Sequence, residues 1–524
     1  MKTLPTSGRF ATSPPARMAA GLVLFAGAYA ILNYHQLVHD VLYRMAAHDY
    51  PSAITAYVSL SAQALALLLG VTCLPRTAVR VLFVLIGASA YANIVFGDIL
   101  GDTIDVQKMA WMFAETHQAG QAFGLFIVPA LLGAAKLICA LALLGLTRRL
   151  VRPLIAQRQE LRWAGHWLLV CAVLIVPSFV ALRPAAAERN VFGYTAALMT
   201  APPPPARAPV SARPGRPAVD KIVWLIDESV AYASYARVLQ PGLARFAPVD
   251  FGKAASVANC SAPSNVALRA GIPVRTASAA TDLRTMPTIW AYARKAGFRT
   301  MLVDGQVSGP PQNLMLPTEQ VLIDAYEARS ADLRTDYRIA AFLNARLRAP
   351  GRAFIYVVLR GVHFQYRDHY PKGLIPENSP LLRQYETAIG WSKKDVFATL
   401  LAGVDRDRVA IVYTSDHGQN VQTALPPHCS ADPVQAEFAV PLVAFLPERM
   451  RHAYAAAPRT GHSASQIFPT TLAWMGYDPG EVQSRYDRDL RFTTARHVWF
   501  GRNVIPMAEG DRVEITASRG FPGR

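Results

Sequence analysis

The segment VANCSAPSNVALRAGI, residues 257–272, sets Ser261 and Ser264 beside a cysteine and a proline, ahead of an apolar helical run closed by Gly271. A serine hydroxyl is a poor nucleophile at neutral pH until something draws off its proton. Groups able to help recur at one kind of position. WLIDES ends in Asp227 and Glu228, VVLRGVH in His363, and VYTSDHG in Asp416 and His417, each directly after a hydrophobic run. Carboxylates and imidazoles are ligands that Zn2+ accepts, and a metal site with an open position can activate an oxygen nucleophile. Singly, each residue reads as a turn former or a satisfied polar group. Together with the serine turn, they point to a metal-assisted hydroxyl. Either serine falls at a helix N-terminus, where free N–H groups and the helix dipole favour an anion, and the other then serves as a cap.

The elements around these residues follow from the type of run. KIVWLIDES, RTMLVDG, RAFIYVVLRGVH, RVAIVYTSDHG and VPLVAFLP are continuous and β-rich, as in strands buried on both faces. Between them, TIWAYARKAGF, TDYRIAAFLNARLRA and SPLLRQYETAIGWSKKDVFATLLAGV carry helical periodicity. The alternation predicts an α/β domain over residues 220–524, its mostly parallel sheet covered on both faces. In such sheets chemistry collects at the carboxyl ends of the strands.

The rest of the chain belongs to another solvent. With 52% hydrophobic residues and a mean hydropathy of +0.19, the 524-residue chain is too apolar for an ordinary soluble enzyme. Residues 17–35, 49–76, 80–98, 117–148 and 162–183 form five nearly charge-free runs, each about long enough to cross a ~30 Å hydrocarbon core. Five runs exclude a lone signal peptide. Residues 1–183 are therefore expected to form a five-span α-helical bundle, and the proline-rich stretch 184–219 a linker. Arginines before the first run, between the second and third, and between the fourth and fifth place the N-terminus in the cytoplasm and everything after Arg183 outside. Lys136, midway along the fourth run, is costly in lipid and is expected to face the bundle or snorkel, with an anionic lipid headgroup as a candidate ligand. The net charge of +17 suits an anionic membrane surface or a phosphorylated glycolipid, and nothing in the sequence calls for nucleic acid.

In their order, LIDES, the serine turn, LRGVH, TSDHG and PPHCS resemble the alkaline phosphatase and sulfatase superfamily. With five preceding spans the chain is similar to the membrane phosphoethanolamine transferases. The acidic loop GDTIDVQKMAWMFAETHQAG, which includes Glu115, is similar to the segment by which those enzymes help bind their lipid. The resemblance implies that Glu228, Asp416 and His417 hold Zn2+ (one or two ions, or another divalent metal) together with the nucleophile's oxygen. It further implies that His363 and His428 contact the transferred phosphoryl group. Two registers compete for the nucleophile. The pattern of nucleophile, any residue, proline and an apolar helix with glycine ten places on favours Ser261. An offset counted from the cysteine favours Ser264. We prefer the first.

Some residues depart from the pattern. Serine stands where the transferases usually carry threonine, Gln419 where an acidic residue is common, and Asn265 where formylglycine sulfatases have arginine, a weak candidate for substrate contact. Of five cysteines, only Cys260 and Cys429 lie in the exported domain, where disulfides are allowed. They adjoin Ser261 and His428, so the implied site brings them near each other. The expected activity is transfer of phosphoethanolamine from a phospholipid to lipid A or another envelope glycan through a phosphoserine, at a bacterial inner membrane with the catalytic domain periplasmic. A membrane-anchored phosphate or sulfate ester hydrolase using the same centre, and a non-catalytic exported binding module, are the alternatives.

Overall fold

A computed structural model describes residues 13–46, 50–100, 103–114, 126–156, 186–278, 280–307, 309–330, 332–421, 428–430, 433–500 and 503–507. The chain forms two compact units, one from residues 1–110 and 117–201, the other from residues 111–116 and 202–522.

The first unit is helical. Among the described residues, four of its helices are long and apolar enough to cross a membrane: α1 (Pro14–Leu32), α2 (Tyr50–Cys73), α3 (Arg76–Leu100) and, past the short α4 (Val106–Ala114), α5 (Ile127–Ala156). The expected fifth span, residues 162–183, and Glu115 lie outside the described residues. Small residues let the helices close up, as Gly21 of α1 does against Val151 of α5, where a Cβ would collide with the valine. Lys136 on α5 carries its own counter-ion: its Nζ lies 2.7 Å from a carboxylate oxygen of Asp98, which also bonds His35 Nε2 at 3.1 Å. Asp98 thus already balances the charge expected to draw a lipid headgroup.

Residues 186–189 enter this unit as a turn, irregular buried backbone whose polar groups must find partners in the protein. Gln63 accepts from Ala186 N and Asn33 from Ala187 N, both at 2.7 Å, while Ser89 and Asn93 bond the Ala187 carbonyl. The stretch read as a linker is not plain tether. It holds helix α6 (Asn190–Met199), and its later part bonds the second unit through Ala208 N to Thr285 O, Gly215 N to Gly476 O and Ala218 N to Trp474 O.

The second unit is built on an eight-stranded sheet of β1 (Lys221–Asp227), β2 (Val249–Ala255), β3 (Arg299–Asp304), β4 (Ala325–Ala328), β5 (Ala353–Val358), β6 (Val409–Ser415), β7 (Ala439–Phe445) and β8 (Thr460–Ser463), in the order 4-3-5-1-6-7-2-8. Only β7 runs against its neighbours. Every residue of β1 is buried, which is why its sequence is a continuous apolar run rather than an alternation. Ile222, Trp224 and Ile226 enter one hydrophobic layer with α7 (Ser261–Ala270), α8 (Ile289–Lys295) and α12 (Ile467–Trp474). Val223 and Leu225 enter the other with α9 (Thr335–Arg348), α10 (Leu381–Ser392) and α11 (Val396–Leu401).

Two expectations change. The pattern over residues 379–404 is not one helix: it breaks between α10 and α11, where Asp395 takes a φ of 65°. Strands β2, β4 and β8 were not expected. A register shift interrupts β2 between Asp250 and Lys253, and β4 and β8 are four residues each, so none carries a readable apolar run.

Candidate metal centre and nucleophile

Three chain segments converge at the carboxyl edge of the sheet. β1 delivers Glu228, β6 delivers Asp416 and His417, and the turn after β2 delivers Ser261 as the first residue of α7. Glu228, Asp416 and His417 are 2%, 2% and 0% exposed, and each offers a ligand atom within 4.8 Å of the others. Ser261 Oγ lies 3.2 Å from both Glu228 carboxylate oxygens and 3.2 Å from His417 Nε2. His417 Nδ1 faces the Gly418 carbonyl at 2.7 Å, which fixes a proton there and turns Nε2 to the cluster, the nitrogen that can bind a metal once its own proton is lost.

The donor set fits a divalent cation. Asp416 Oδ2 is buried without a hydrogen-bond partner, although Oδ1 accepts from the His417 and Ser229 backbone amides. A buried carboxylate oxygen left over in this way is costly unless a cation or proton takes it. The electrostatics agree. Burial, and then the facing Glu228 charge, push the Asp416 carboxyl up to about 8. Burial also opposes charge on Glu228, yet the hydrogen bond and charge of His417 outweigh it and hold the Glu228 carboxyl well below the usual range. For His417 burial pulls downward, but the Asp416 charge and the bond to Glu228 raise it to about 9. Without a metal cation, two buried carboxylates can share the site only by retaining a proton.

The two serines separate. Ser264 Oγ is fully buried, donates to the Asp416 carbonyl and accepts from Ala258 N at 3.2 Å. It ties the Ser261 turn to the β6 loop and does not face the cluster. Ser261 is half-buried and faces it. Asn265 is also committed to protein, donating to the Ser261 carbonyl at 2.9 Å and accepting from Tyr356 Oη at 2.7 Å. Gly271 closes α7 with a φ of 66°, and a Cβ there would press on the Phe468 ring at 2.9 Å.

Both further histidines are at hand. The His428 ring stacks on His417 with centroids 4.4 Å apart, and His363 meets His428 edge-on at 5.2 Å. Gln419 Nε2 donates to Tyr366 Oη, so its Oε1 accepts from His428 Nδ1 at 2.9 Å and His428 Nε2 is left as an acceptor. Cys260 and Cys429 form a disulfide, Cα atoms 4.7 Å apart, and Cys429 N donates to Asn259 O. The bond joins the nucleophile turn to the His428 loop.

Two contributors, Gln306 and Gly361, were not legible beforehand, and Asp227, expected among the strand-end carboxylates, serves elsewhere. Gln306 Nε2 donates to Glu228 Oε2 at 2.7 Å from a loop without a motif. Asp227, which shares its strand end with Glu228, turns the other way to the fully buried Lys393 at 2.8 Å. Gly361, with a φ of 58°, lets the His363 turn lie against Glu228, since a Cβ there would sit 2.6 Å from the Glu228 carbonyl oxygen.

Residues 249–477 match the family model Sulfatase. No curated protein matches the chain. Among solved structures, the integral membrane lipooligosaccharide phosphoethanolamine transferase A from Neisseria meningitidis is 14% identical with a TM-score of 0.54, over 88% of this chain and 96% of its own. The C-terminal periplasmic domain of EcEptC from Escherichia coli, in complex with Zn, is 17% identical with a TM-score of 0.45, over 59% of this chain and 96% of its own. At these identities the likeness is one of fold. Residues 249–477 therefore hold a sulfatase-like domain, preceded by helices long and apolar enough to cross a membrane, and the chain shares the fold of the Neisseria meningitidis transferase.

Proposed function

We propose that the protein transfers phosphoethanolamine from a phospholipid to lipid A or another envelope glycan, with Ser261 as the covalent nucleophile. The observation that carries this reading is the Ser261 hydroxyl at 3.2 Å from Glu228 and His417, beside the unpartnered Asp416 Oδ2. Glu228, Asp416, His417 and Ser261 Oγ would hold the metal. Zn2+ bound there would supply the positive charge that favours a serine alkoxide and offsets charge on the phosphoryl oxygens. The chain's own groups do the rest. The Ser261 hydroxyl donates to the Glu228 carboxylate, which orients Oγ as it attacks phosphorus and the phosphorus–oxygen bond to diacylglycerol breaks. The proton ends on the departing glycerol oxygen. In the second half an acceptor hydroxyl attacks the phosphoserine and Ser261 recovers a proton. His363 and His428 face the phosphoryl group, His428 through the Nε2 that Gln419 leaves free. The first turn of α7 offers backbone N–H groups to the same anion.

The family match, the membrane helices and the fold shared with a lipooligosaccharide-modifying transferase support a lipid donor and an anionic glycan acceptor, with the second unit on the periplasmic side of a bacterial inner membrane. Labelled phosphatidylethanolamine tests the reading. Label should appear on Ser261 without acceptor and move to lipid A when it is added. Steady release of labelled phosphoethanolamine into water, acceptor or not, would make the enzyme a hydrolase instead.

A further inference from the structure

Lys393 lies outside every motif, at the break between α10 and α11, and its side chain is wholly buried. Its Nζ lies 2.8 Å from Asp227 Oδ1 and 2.5 Å from Asp336 Oδ2, so one ammonium is clasped by two buried carboxylates. Each carboxylate governs one wall of the metal centre. Asp227 precedes Glu228, accepts its backbone N–H at 3.0 Å, and is oriented from the far side by Tyr413 Oη at 2.7 Å. Asp336, at the start of α9, accepts from Arg360 N at 2.7 Å and Gly361 N at 3.3 Å, in the turn that leads to His363. Val362 N closes the circuit by donating to Glu228 O at 3.1 Å.

Burying three charges is an expensive way to join two loops, and an apolar cluster of the same volume would give comparable or better stability. What the ions add is direction, because a carboxylate fixed by an ammonium and by backbone donors can rotate very little. We propose that Lys393 is a positioning residue that sets Glu228 and His363 in register with each other. It holds the metal ligand at the distance from the phosphoryl-facing histidine that transfer needs. The proposal rests on the reading of the site given above. Lys393 touches neither metal nor substrate and acts only through Asp227 and Asp336.

The test uses the full chain in detergent with two disrupting variants and Lys393→Arg as the conservative control. Lys393→Met leaves two buried carboxylates facing each other. The double variant Lys393→Met/Asp336→Asn removes the facing carboxylate as well, and leaves Asp227 alone with its hydrogen bonds from Glu228 N and Tyr413 Oη, where it can stay folded by keeping a proton. Both are titrated with Zn2+ and with Co2+, whose visible absorption reports ligand geometry, and turnover is measured with labelled phospholipid and acceptor. Loss of a group that orients a ligand typically weakens metal affinity or activity about 10–100-fold. We expect a fall of that order in Zn2+ affinity and kcat, an altered cobalt spectrum, a KM for phospholipid within about twofold of native, and partial recovery in Lys393→Arg. If either folded variant keeps native Zn2+ affinity and a native cobalt spectrum, and only its melting temperature moves, Lys393 is merely structural and the proposal fails. Failure of the transferase reading looks different: wild-type protein would bind Zn2+ and transfer nothing, while the two metal titrations would still decide the role of Lys393.

Discussion

A 3.2 Å approach to three ligand atoms distinguishes Ser261 from its neighbour three residues on. Ser261→Ala should reduce turnover on the order of 10³-fold or more with thermal stability near native, since removing a covalent nucleophile leaves only binding and electrostatics, while Glu228, Asp416 and His417 still bind Zn2+, more weakly for the loss of one oxygen. Ser264→Ala should behave in the opposite way. It strands the Ala258 N–H and the Asp416 carbonyl, costing about 1–3 kcal/mol in a denaturant melt with turnover within a few-fold of native. Full turnover in Ser261→Ala would end the covalent-serine reading. Asp416→Asn should lose metal and activity together by elemental analysis and assay, because it alters the ligand set itself. Glu228, His363, Asp416 and His417 could be read in the sequence because each follows an apolar strand, and Ser261 because a proline and an apolar helix follow it. The supporting groups could not. Gln306, Lys393 and Asp336 act across sequence gaps of 78, 166 and 109 residues from Glu228 or Asp227, where no spacing rule operates.

At the scale of elements, the turn from Leu359 to His369 shapes the site and is vulnerable in two ways. Gly361 occupies left-handed backbone hard against Glu228, so Gly361→Ala meets both a φ penalty and a backbone clash. It should lower stability by at least about 2 kcal/mol and take metal affinity with it, and a native melting curve for this variant would contradict the packing described. His369 is 6% exposed with Nδ1 unpartnered, and burial, aided by the charges of Arg360 and His363, pushes its imidazole down to about 3. Its depressed value means that the unfolded chain binds the proton first. Stability from this group is therefore complete above about pH 6.5 and is lost as pH falls toward 3, by about 2 kcal/mol at pH 5. His369→Gln should flatten that part of the stability profile relative to wild type, and identical acid limbs would show that His369 contributes nothing. The central strands could be read in advance because both of their faces are buried. β2, β4 and β8 could not, because strands this short or interrupted are defined by the neighbours they pair with rather than by a period of their own.

For the whole molecule, the loop arginines predict that a reporter fused after Arg183 is active only outside the cytoplasm, and cytoplasmic activity would reverse the proposed topology. Hydropathy made the membrane unit legible because a bilayer imposes length and composition together. The lock between residues 186–190 and Asn33, Gln63, Ser89 and Asn93 was hidden, since polar residues in an apolar run do not announce their partners. The Cys260–Cys429 bond spans 169 residues, and the segment it encloses includes β3, β4, β5 and β6. Closing a loop of that length removes about 5 kcal/mol of chain entropy from the unfolded state on the loop-entropy account. On the proposed topology the bond can form only after Cys429 has emerged on the oxidising side, when most of the sheet's sequence is already there. Maturation of this enzyme is thus tied to the oxidising machinery of its compartment. In cells unable to make disulfides, the second unit should accumulate as protease-sensitive chains with alkylatable Cys260 and Cys429, while the membrane helices insert as usual.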